Sequence, residues 1–165
     1  MLEFTKKIFP LNRSLTGKDV VKTLSIIKKK IPNLIINNVK SRTKIFDWTV
    51  PDEWNVKDAY IINPNGKKFA EFKINNIHLM GYSIPLNKTL ALDELKKKIY
   101  FLKELPNAIP YVTSYYKKDW GFCITYHDYQ KLKKGNYKVF INSSLKKGRL
   151  SYGQILIKGK SKKEI

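Results

Sequence analysis

The sequence has a single cysteine, Cys123, so no disulfide can form within the chain. Histidine is also scarce, occurring only as His78 and His127. One thiol and two distant imidazoles do not have the spacing of a metal site, and no serine-hydrolase or zinc-protease motif is present. We therefore predict no catalytic, cofactor-binding or metal-binding residue in this chain.

Cys123 and His127 are close enough in sequence to raise the hypothesis of a small cysteine-dependent enzyme. Isolated cysteines and histidines are more often buried structural residues, and we expect this of Cys123 and His78. The patterns assign no role to any of the three side chains.

The chain also lacks any long apolar run, which excludes a membrane-spanning helix. Its first residues do not combine a charged start with an apolar stretch and a cleavage site, as a secretory signal would. We therefore expect a cytoplasmic protein that makes no contact with a membrane.

Acidic residues are few: 13 stand against 33 basic residues, and the formal net charge is +20. Only Arg13, Arg42 and Arg149 are arginines, although arginine makes the bidentate and stacking contacts typical of nucleic-acid recognition. The abundance of lysine, isoleucine and asparagine is typical of AT-rich coding sequence. A dedicated nucleic-acid site is disfavoured, and a basic polyanion-binding or nucleic-acid-binding module stays open as the alternative function.

The chain of 165 residues has enough apolar side chains to form a hydrophobic core, because 42% of its residues are hydrophobic and 13% are aromatic. Thr16 is a predicted helix N-cap, and Val20, Leu24, Ile27 and Ile31 follow at helical spacing before Pro32. A strand is predicted next, over Leu34–Val39.

Asn63-Pro64-Asn65-Gly66 predicts a hairpin between Ala59–Ile62 and Lys67–Phe72. Leu92, Leu95, Ile99 and Leu102 predict a second amphipathic helix that ends before Pro106. Strands are predicted over Gly121–Tyr126, Tyr137–Ile141 and Leu150–Ile157. Asp128–Lys133 is expected to form one or two helical turns closed by Gly135, so the predicted class is α+β.

Several short motifs are too specific for random lysine-rich sequence, above all the segment around Trp48 and Trp54. The acidic side chains beside these tryptophans are typical of solvated loop charges. In order, the motifs are Phe9-Pro10, Arg13-Ser14-Leu15-Thr16-Gly17, Lys44-Ile45-Phe46-Asp47-Trp48-Thr49-Val50-Pro51, Trp54, Asp58-Ala59-Tyr60-Ile61, Tyr82-Ser83-Ile84-Pro85, Ile109-Pro110-Tyr111-Val112-Thr113-Ser114-Tyr115-Tyr116, Trp120-Gly121-Phe122-Cys123, Ser143-Ser144-Leu145 and Gly148-Arg149-Leu150-Ser151-Tyr152-Gly153.

This order of motifs resembles a bacterial family of aminopeptidase-like proteins, long catalogued as domains of unknown function and similar to the co-catalytic zinc aminopeptidases. The resemblance covers nearly the whole chain and implies an α/β peptidase domain interrupted by a mainly antiparallel β domain, similar to protease-associated domains. It places the peptidase-like part at residues 1–41 and 147–165 and the inserted β domain at 42–146. We expect that the terminal segments do not form a closed core by themselves.

In the family, the zinc site begins just after the returning strand, with a His-x-Cys-His-Pro stretch that this chain does not contain. The resemblance therefore implies zinc in the full-length protein and none in this chain, which is expected to be inactive alone. The expected partner is the missing C-terminal peptidase portion, and a peptide-like substrate is expected only in the intact protein. We expect the chain to be either a truncated reading frame or a standalone remnant.

Overall fold

A computed structural model describes residues 2–159 of the chain. In this part of the chain the helices are α1 (Leu2–Ile8), α2 (Lys18–Lys30), α3 (Leu92–Lys96) and α4 (Tyr126–Gln130), with a 3-10 turn at Asn76–His78. The strands are β1 (Ile35–Lys40), β2 (Lys44–Ile45), β3 (Trp48–Thr49), β4 (Glu53–Ile62), β5 (Lys68–Phe69), β6 (Leu86–Ala91), β7 (Ile99–Tyr100), β8 (Phe122–Cys123), β9 (Asn136–Lys146) and β10 (Arg149–Gln154). This mixture of helices and mainly antiparallel strands confirms the α+β class.

The central sheet contains four strands in the order β5-β4-β9-β6, and every pairing in it is antiparallel. Along β9 every second side chain is buried, as strand alternation requires: Tyr137, Val139 and Ile141. β4 buries both Trp54 and Ala59, which uninterrupted alternation would place on opposite faces. A β-bulge between Val56 and Asp58 resolves this, because the extra residue Lys57 reverses the alternation.

The hydrophobic core lies on the inner face of this sheet. The short helix α3 contributes Leu95, and the region of β8 contributes Phe122 and Ile124, all of which are almost completely buried. Burying a side chain of this size stabilises the fold by about 1.5–3 kcal/mol. The sheet and its covering loops therefore have a core of their own.

β1 pairs with β10 in a separate two-stranded ribbon. On one face the ribbon packs closely against α2: a Cβ atom added to Gly153 would lie 2.9 Å from Cδ1 of Leu34 and 3.2 Å from Cδ2 of Leu24. On the other face Ile35 is 57% exposed and Tyr152 is 45% exposed. The terminal segments therefore pair with each other and with α2, but one apolar face of the ribbon stays open in the described part of the chain.

The predicted helix over Leu92–Leu102 is wrong beyond its first turn. α3 ends at Lys96, and Ile99–Tyr100 form a parallel strand paired with Phe122–Cys123. The backbone of the following strand continues this pairing, because the N–H groups of Phe122 and Ile124 donate to the carbonyls of Lys98 and Tyr100. These tertiary hydrogen bonds override the helical spacing of the apolar residues.

The structure also corrects the region after β8. The predicted strand at Gly121–Tyr126 shortens to Phe122–Cys123, because Thr125 starts a helix by accepting a hydrogen bond from the Asp128 N–H. α4 consequently begins before the predicted helical turns and ends before Gly135, which is not its C-cap. The strand predicted at Leu150–Ile157 ends at Gln154, and that predicted at Tyr137–Ile141 extends to Lys146.

The hairpin prediction is confirmed, since β4 and β5 are antiparallel and Gly66 has a φ of 79° in the turn. The elements that were not predicted are α1, the 3-10 turn and the strands β2, β3 and β6. The β6 segment Leu86–Ala91 has lysine and asparagine among its apolar residues, and its pairing with β9 is what makes it a strand. Residues 160–165, which include the end of the predicted returning segment, lie outside the described residues.

Candidate functional site

The N-terminal segment between α1 and α2 contacts the central sheet at Trp54, and this contact region is called the junction here. Two adjoining cavities lie beside it. The smaller one, of about 320 Å³, is called the apolar cleft here and is lined among others by Phe9, Leu11, Phe72, Ile77 and Leu79. The larger one, of about 580 Å³, is called the lysine cleft and is lined among others by Lys18, Asn55, Lys57, Ser144, Lys146 and Lys147. Asn12, Trp54 and Phe72 border both cavities, so the two form one candidate site at the junction.

Thr16 joins the N-terminal segment to the β domain. Its hydroxyl is 2.6 Å from the Tyr82 hydroxyl, accepts from the Trp54 N–H at 3.1 Å and donates to the Asp52 carbonyl at 3.3 Å. The predicted N-cap role of Thr16 is wrong, because Gly17 is the N-cap residue of α2. Glycine has no side chain that could accept a capping hydrogen bond. The Asn55 side chain accepts from the Lys18 N–H at 2.9 Å instead.

Replacing Thr16 with valine is expected to lower the free energy of unfolding by about 2–4 kcal/mol, because the buried donors of Tyr82 and Trp54 lose their acceptor. Urea unfolding followed by far-UV circular dichroism measures this change. Thr16→Ser keeps the hydroxyl and is expected to cost about 1 kcal/mol or less. Equal losses in the two variants would show that the hydroxyl network contributes nothing.

Trp54 is the centre of the junction. Its ring stacks on Tyr82 at a centroid distance of 5.6 Å, and its Nε1–H donates to the Ser83 carbonyl at 3.0 Å. The Ser143 hydroxyl donates to the same carbonyl at 2.8 Å. Burial raises the pKa of Tyr82 to about 12, which keeps its hydroxyl protonated as a hydrogen-bonding group. Motifs from three distant parts of the sequence therefore meet in one hydrogen-bonded cluster.

The tryptophan-rich segment forms a small hairpin of β2 and β3. Phe46 lies at its tip, 93% exposed and with a φ of 54°. The hairpin is held at its base by Arg42, whose guanidinium makes two hydrogen bonds to Asp52 at 2.9 and 3.0 Å. These hydrogen bonds lower the pKa of Asp52, so this carboxylate acts as a structural ion-pair partner.

Cys123 and the histidines do not form a catalytic pair. Cys123 is fully buried, and burial raises its pKa to about 12, so its reactive thiolate form is suppressed. His78 contacts the Cys123 carbonyl rather than the thiol, through Nδ1 at 2.8 Å, and the exposed His127 lies on α4. The geometry argues against the hypothesis of a cysteine-dependent enzyme.

Within residues 2–159, no group of three or more histidine, cysteine, aspartate or glutamate side chains is placed to hold a metal ion. Across the same residues, no helix is both long and apolar enough to pass through a lipid bilayer.

The sequence motifs identified Thr16, Trp54 and Tyr82 but did not show that these residues meet. The lysine cleft was missed altogether. Its lysines come from α2, β4, β9 and the turn after β9, and in a chain with this many lysines no local pattern distinguishes them. The one available signal was the Asn-Ser-Ser run at 142–144, which lies beside Lys146 and Lys147 and of which only Ser143 and Ser144 belong to a motif named above.

Comparison with known proteins connects this junction to a family. Residues 53–144 match the family model described as "Domain of unknown function (DUF2172)". A curated relative from Clostridium acetobutylicum, a "Putative polysaccharide biosynthesis protein with aminopeptidase-like domain", is 50% identical over 160 residues. The match covers 97% of this chain and 37% of the relative, so the chain spans little more than a third of that protein's length.

The fold is also similar to a crystal structure of a "putative peptidase" from Clostridium acetobutylicum, with a TM-score of 0.86 at 50% identity. That match covers 92% of this chain and 36% of the other. The family model spans more than half of the chain, from the bulged strand that carries Trp54 to the serines of the lysine cleft. The resemblance expected from the motifs is thereby confirmed, and this chain belongs to the DUF2172 family.

Proposed function

We propose that this chain is the N-terminal portion of a zinc aminopeptidase-like protein, in which a β domain at 42–146 is inserted into a peptidase-like domain formed in part by residues 1–41 and 147–165. The observation that carries the proposal is the adjacency of the two ends of the insertion. Ser41 donates its N–H to the Gly148 carbonyl, and Gly148 donates its N–H to the Ser41 hydroxyl. A domain whose ends lie together can be inserted without disturbing its host.

The ribbon of β1 and β10 supports the same division. It continues from both ends of the inserted domain and forms a sheet separate from the central one. Its open face, with Ile35 and Tyr152, is what a strand pair inside a larger α/β domain would present to the next element. The partner we propose for this face is the remainder of the peptidase-like domain, because the relatives are nearly three times as long as their match to this chain.

In the intact protein the inserted domain would border the substrate cleft and help to select a peptide-like substrate. The junction cavities support this role, because they lie between the peptidase-like segment and the β domain, where ligand sites are commonly found. We also propose that this inserted domain is similar to protease-associated domains.

Zinc belongs to the proposed full-length protein and not to the residues described here. Residues 2–159 do not fit a zinc site, since they hold no cluster of three suitable ligands and His78 is bonded to a backbone carbonyl. We therefore assign no metal-dependent catalytic step to side chains of residues 2–159.

The purified chain is expected to contain much less than one equivalent of zinc and to show no hydrolysis of an aminoacyl p-nitroanilide, because residues 2–159 hold no set of ligands for a catalytic metal. Elemental analysis and the release of p-nitroaniline measure the two properties on one preparation. A commercial leucine aminopeptidase, run in parallel, verifies the assay. Stoichiometric zinc together with metal-dependent turnover would overturn the proposal.

A further inference from the structure

The lysine cleft is lined by more lysines than carboxylates. Four exposed lysines line it, and none of their ammonium groups has a carboxylate oxygen within the 4.0 Å of an ion pair among residues 2–159: Lys18, Lys57, Lys146 and Lys147. The ion pairs in this part of the chain all involve other basic residues. The lysine cleft therefore gathers like charges in one cavity.

Two carboxylates line the same cavity, but each already has a hydrogen-bond donor. Asp19 accepts from the Asn12 N–H at 2.9 Å, and Glu53 accepts from the Asn55 side chain at 3.0 Å. Glu53 faces Lys146 directly across the two strands, yet its side chain turns toward Gly148. The four lysines outnumber the two carboxylates, so the cleft keeps a net positive charge.

The fold itself places these lysines around one cavity. Lys57 is the extra residue of the β-bulge in β4, which removes it from the regular alternation of the strand. Lys146 ends β9, and Lys147 follows in the turn that leads to β10. Lys18 starts α2, whose N-terminus is tied to the β domain by the hydrogen bond from the Lys18 N–H to Asn55.

Asn142 and Ser144 add neutral hydrogen-bond donors to the lining. A cavity of about 580 Å³ lies within the range of small-molecule sites. Like charges gathered in a cleft create a field that concentrates anions. Carboxylates and phosphates are the groups that lysines and neutral donors bind through charge-assisted hydrogen bonds.

We propose that the lysine cleft binds a small ligand through an anionic group, a carboxylate or a phosphate. The proposal deepens the proposed function, because it implies that the intact protein would prefer substrates that carry negative charge near the bond to be cleaved. This consequence for catalysis rests on the proposed function. The binding step needs neither zinc nor turnover. It can therefore be tested on this chain, and its failure is distinguishable from failure of the proposed function.

Isothermal titration calorimetry at about 150 mM salt, where non-specific attraction is screened, tests the proposal with three probes. These are inorganic phosphate, a triglutamate peptide and a triglutamine peptide; both peptides are N-acetylated and C-terminally amidated, so that only triglutamate carries carboxylates. We expect phosphate or triglutamate to bind at one site and triglutamine not to bind. The probe that binds more tightly shows whether the cleft prefers a phosphate or a carboxylate. Absence of binding by both anions, or equal binding of triglutamine, would overturn the proposal.

The double variant Lys146→Ala/Lys147→Ala is expected to weaken binding by about tenfold or more, since it removes two charged donors. The control Lys28→Ala/Lys29→Ala removes the same charge from the exposed last turn of α2, away from the cleft, and should change binding by less than about twofold. Equal weakening in both variants would show a general effect of net charge and would overturn the proposal. Circular dichroism verifies that each variant is folded, and amide shifts of Asn55 and Ser144 in NMR spectra provide a second readout on the unmodified chain.

Discussion

Replacing Trp54 with alanine is expected to destabilise the fold by about 3–5 kcal/mol, a large part of the stability of a domain of this size. Trp54 is only 2% exposed, stacks on Tyr82 and belongs to the core cluster. Its removal would leave a large cavity where the N-terminal segment meets the sheet. Urea unfolding followed by far-UV circular dichroism measures the loss without depending on tryptophan fluorescence.

Two further variants separate the contributions of Trp54. Trp54→Phe keeps an aromatic ring against Tyr82 and removes the Nε1 donor, but the Ser83 carbonyl still accepts from Ser143. We expect it to cost about 1–2 kcal/mol. Phe46→Ala removes an aromatic ring that is 93% exposed and should change stability by about 0.5 kcal/mol or less. A loss below about 1 kcal/mol for Trp54→Ala would contradict this account of the junction.

Replacing Gly17 with alanine is expected to cost about 2–5 kcal/mol, through two separate effects. Gly17 has a φ of 113°, which side-chain-bearing residues rarely adopt, and a Cβ atom there would lie 2.4 Å from the Trp54 carbonyl oxygen. The clash is with backbone, so no side chain can rotate away to relieve it. The variant should show a lower urea midpoint, and the N-terminal segment should become more sensitive to proteolysis.

Gly66→Ala is a matched control, because Gly66 also has a positive φ, 79°, but has no atom within 4 Å of an added Cβ. It carries only the backbone cost, which we expect to be about 1 kcal/mol. The difference between the two variants therefore combines the close approach of the N-terminal segment to the β domain with the larger backbone cost at Gly17, whose φ of 113° and ψ of 169° are essentially restricted to glycine. Equal effects at Gly17 and Gly66 would show that this contact is not tightly packed.

Local signals in the sequence predicted some elements well and failed where tertiary contacts decided the outcome. The turn chemistry of Asn63-Pro64-Asn65-Gly66 predicted the hairpin, because a proline and a glycine at those positions restrict the backbone whatever surrounds them. The spacing of Leu95 and Ile99 predicted a helix, but Ile99 pairs with Phe122 in a strand. A short apolar run can satisfy either period, and only its distant partner decides between them.

The candidate site shows the same division. Thr16 is a residue type that is favoured at N-caps. Its hydroxyl instead makes hydrogen bonds with the Tyr82 hydroxyl and the Asp52 carbonyl, which lie beside it in the folded protein. The lysine cleft could not be predicted, since lysine is common along the whole chain. Which lysines lack an ion-pair partner depends on the β-bulge and on the path of α2, and neither leaves a clear local signature.

From the sequence alone came the α+β class, the large positive charge, the single unpaired cysteine and the motifs that led to the family. These properties depend on composition, on short periodic patterns or on turn residues, and each can be recognised within a few neighbouring residues. The tertiary structure alone decided that β1 pairs with β10, that Thr16 and Tyr82 meet at Trp54, and that four lysines surround one cavity. Such contacts join residues that are far apart in the chain. They are stabilised by burial that occurs only when the whole domain folds, so no short stretch of sequence reveals them.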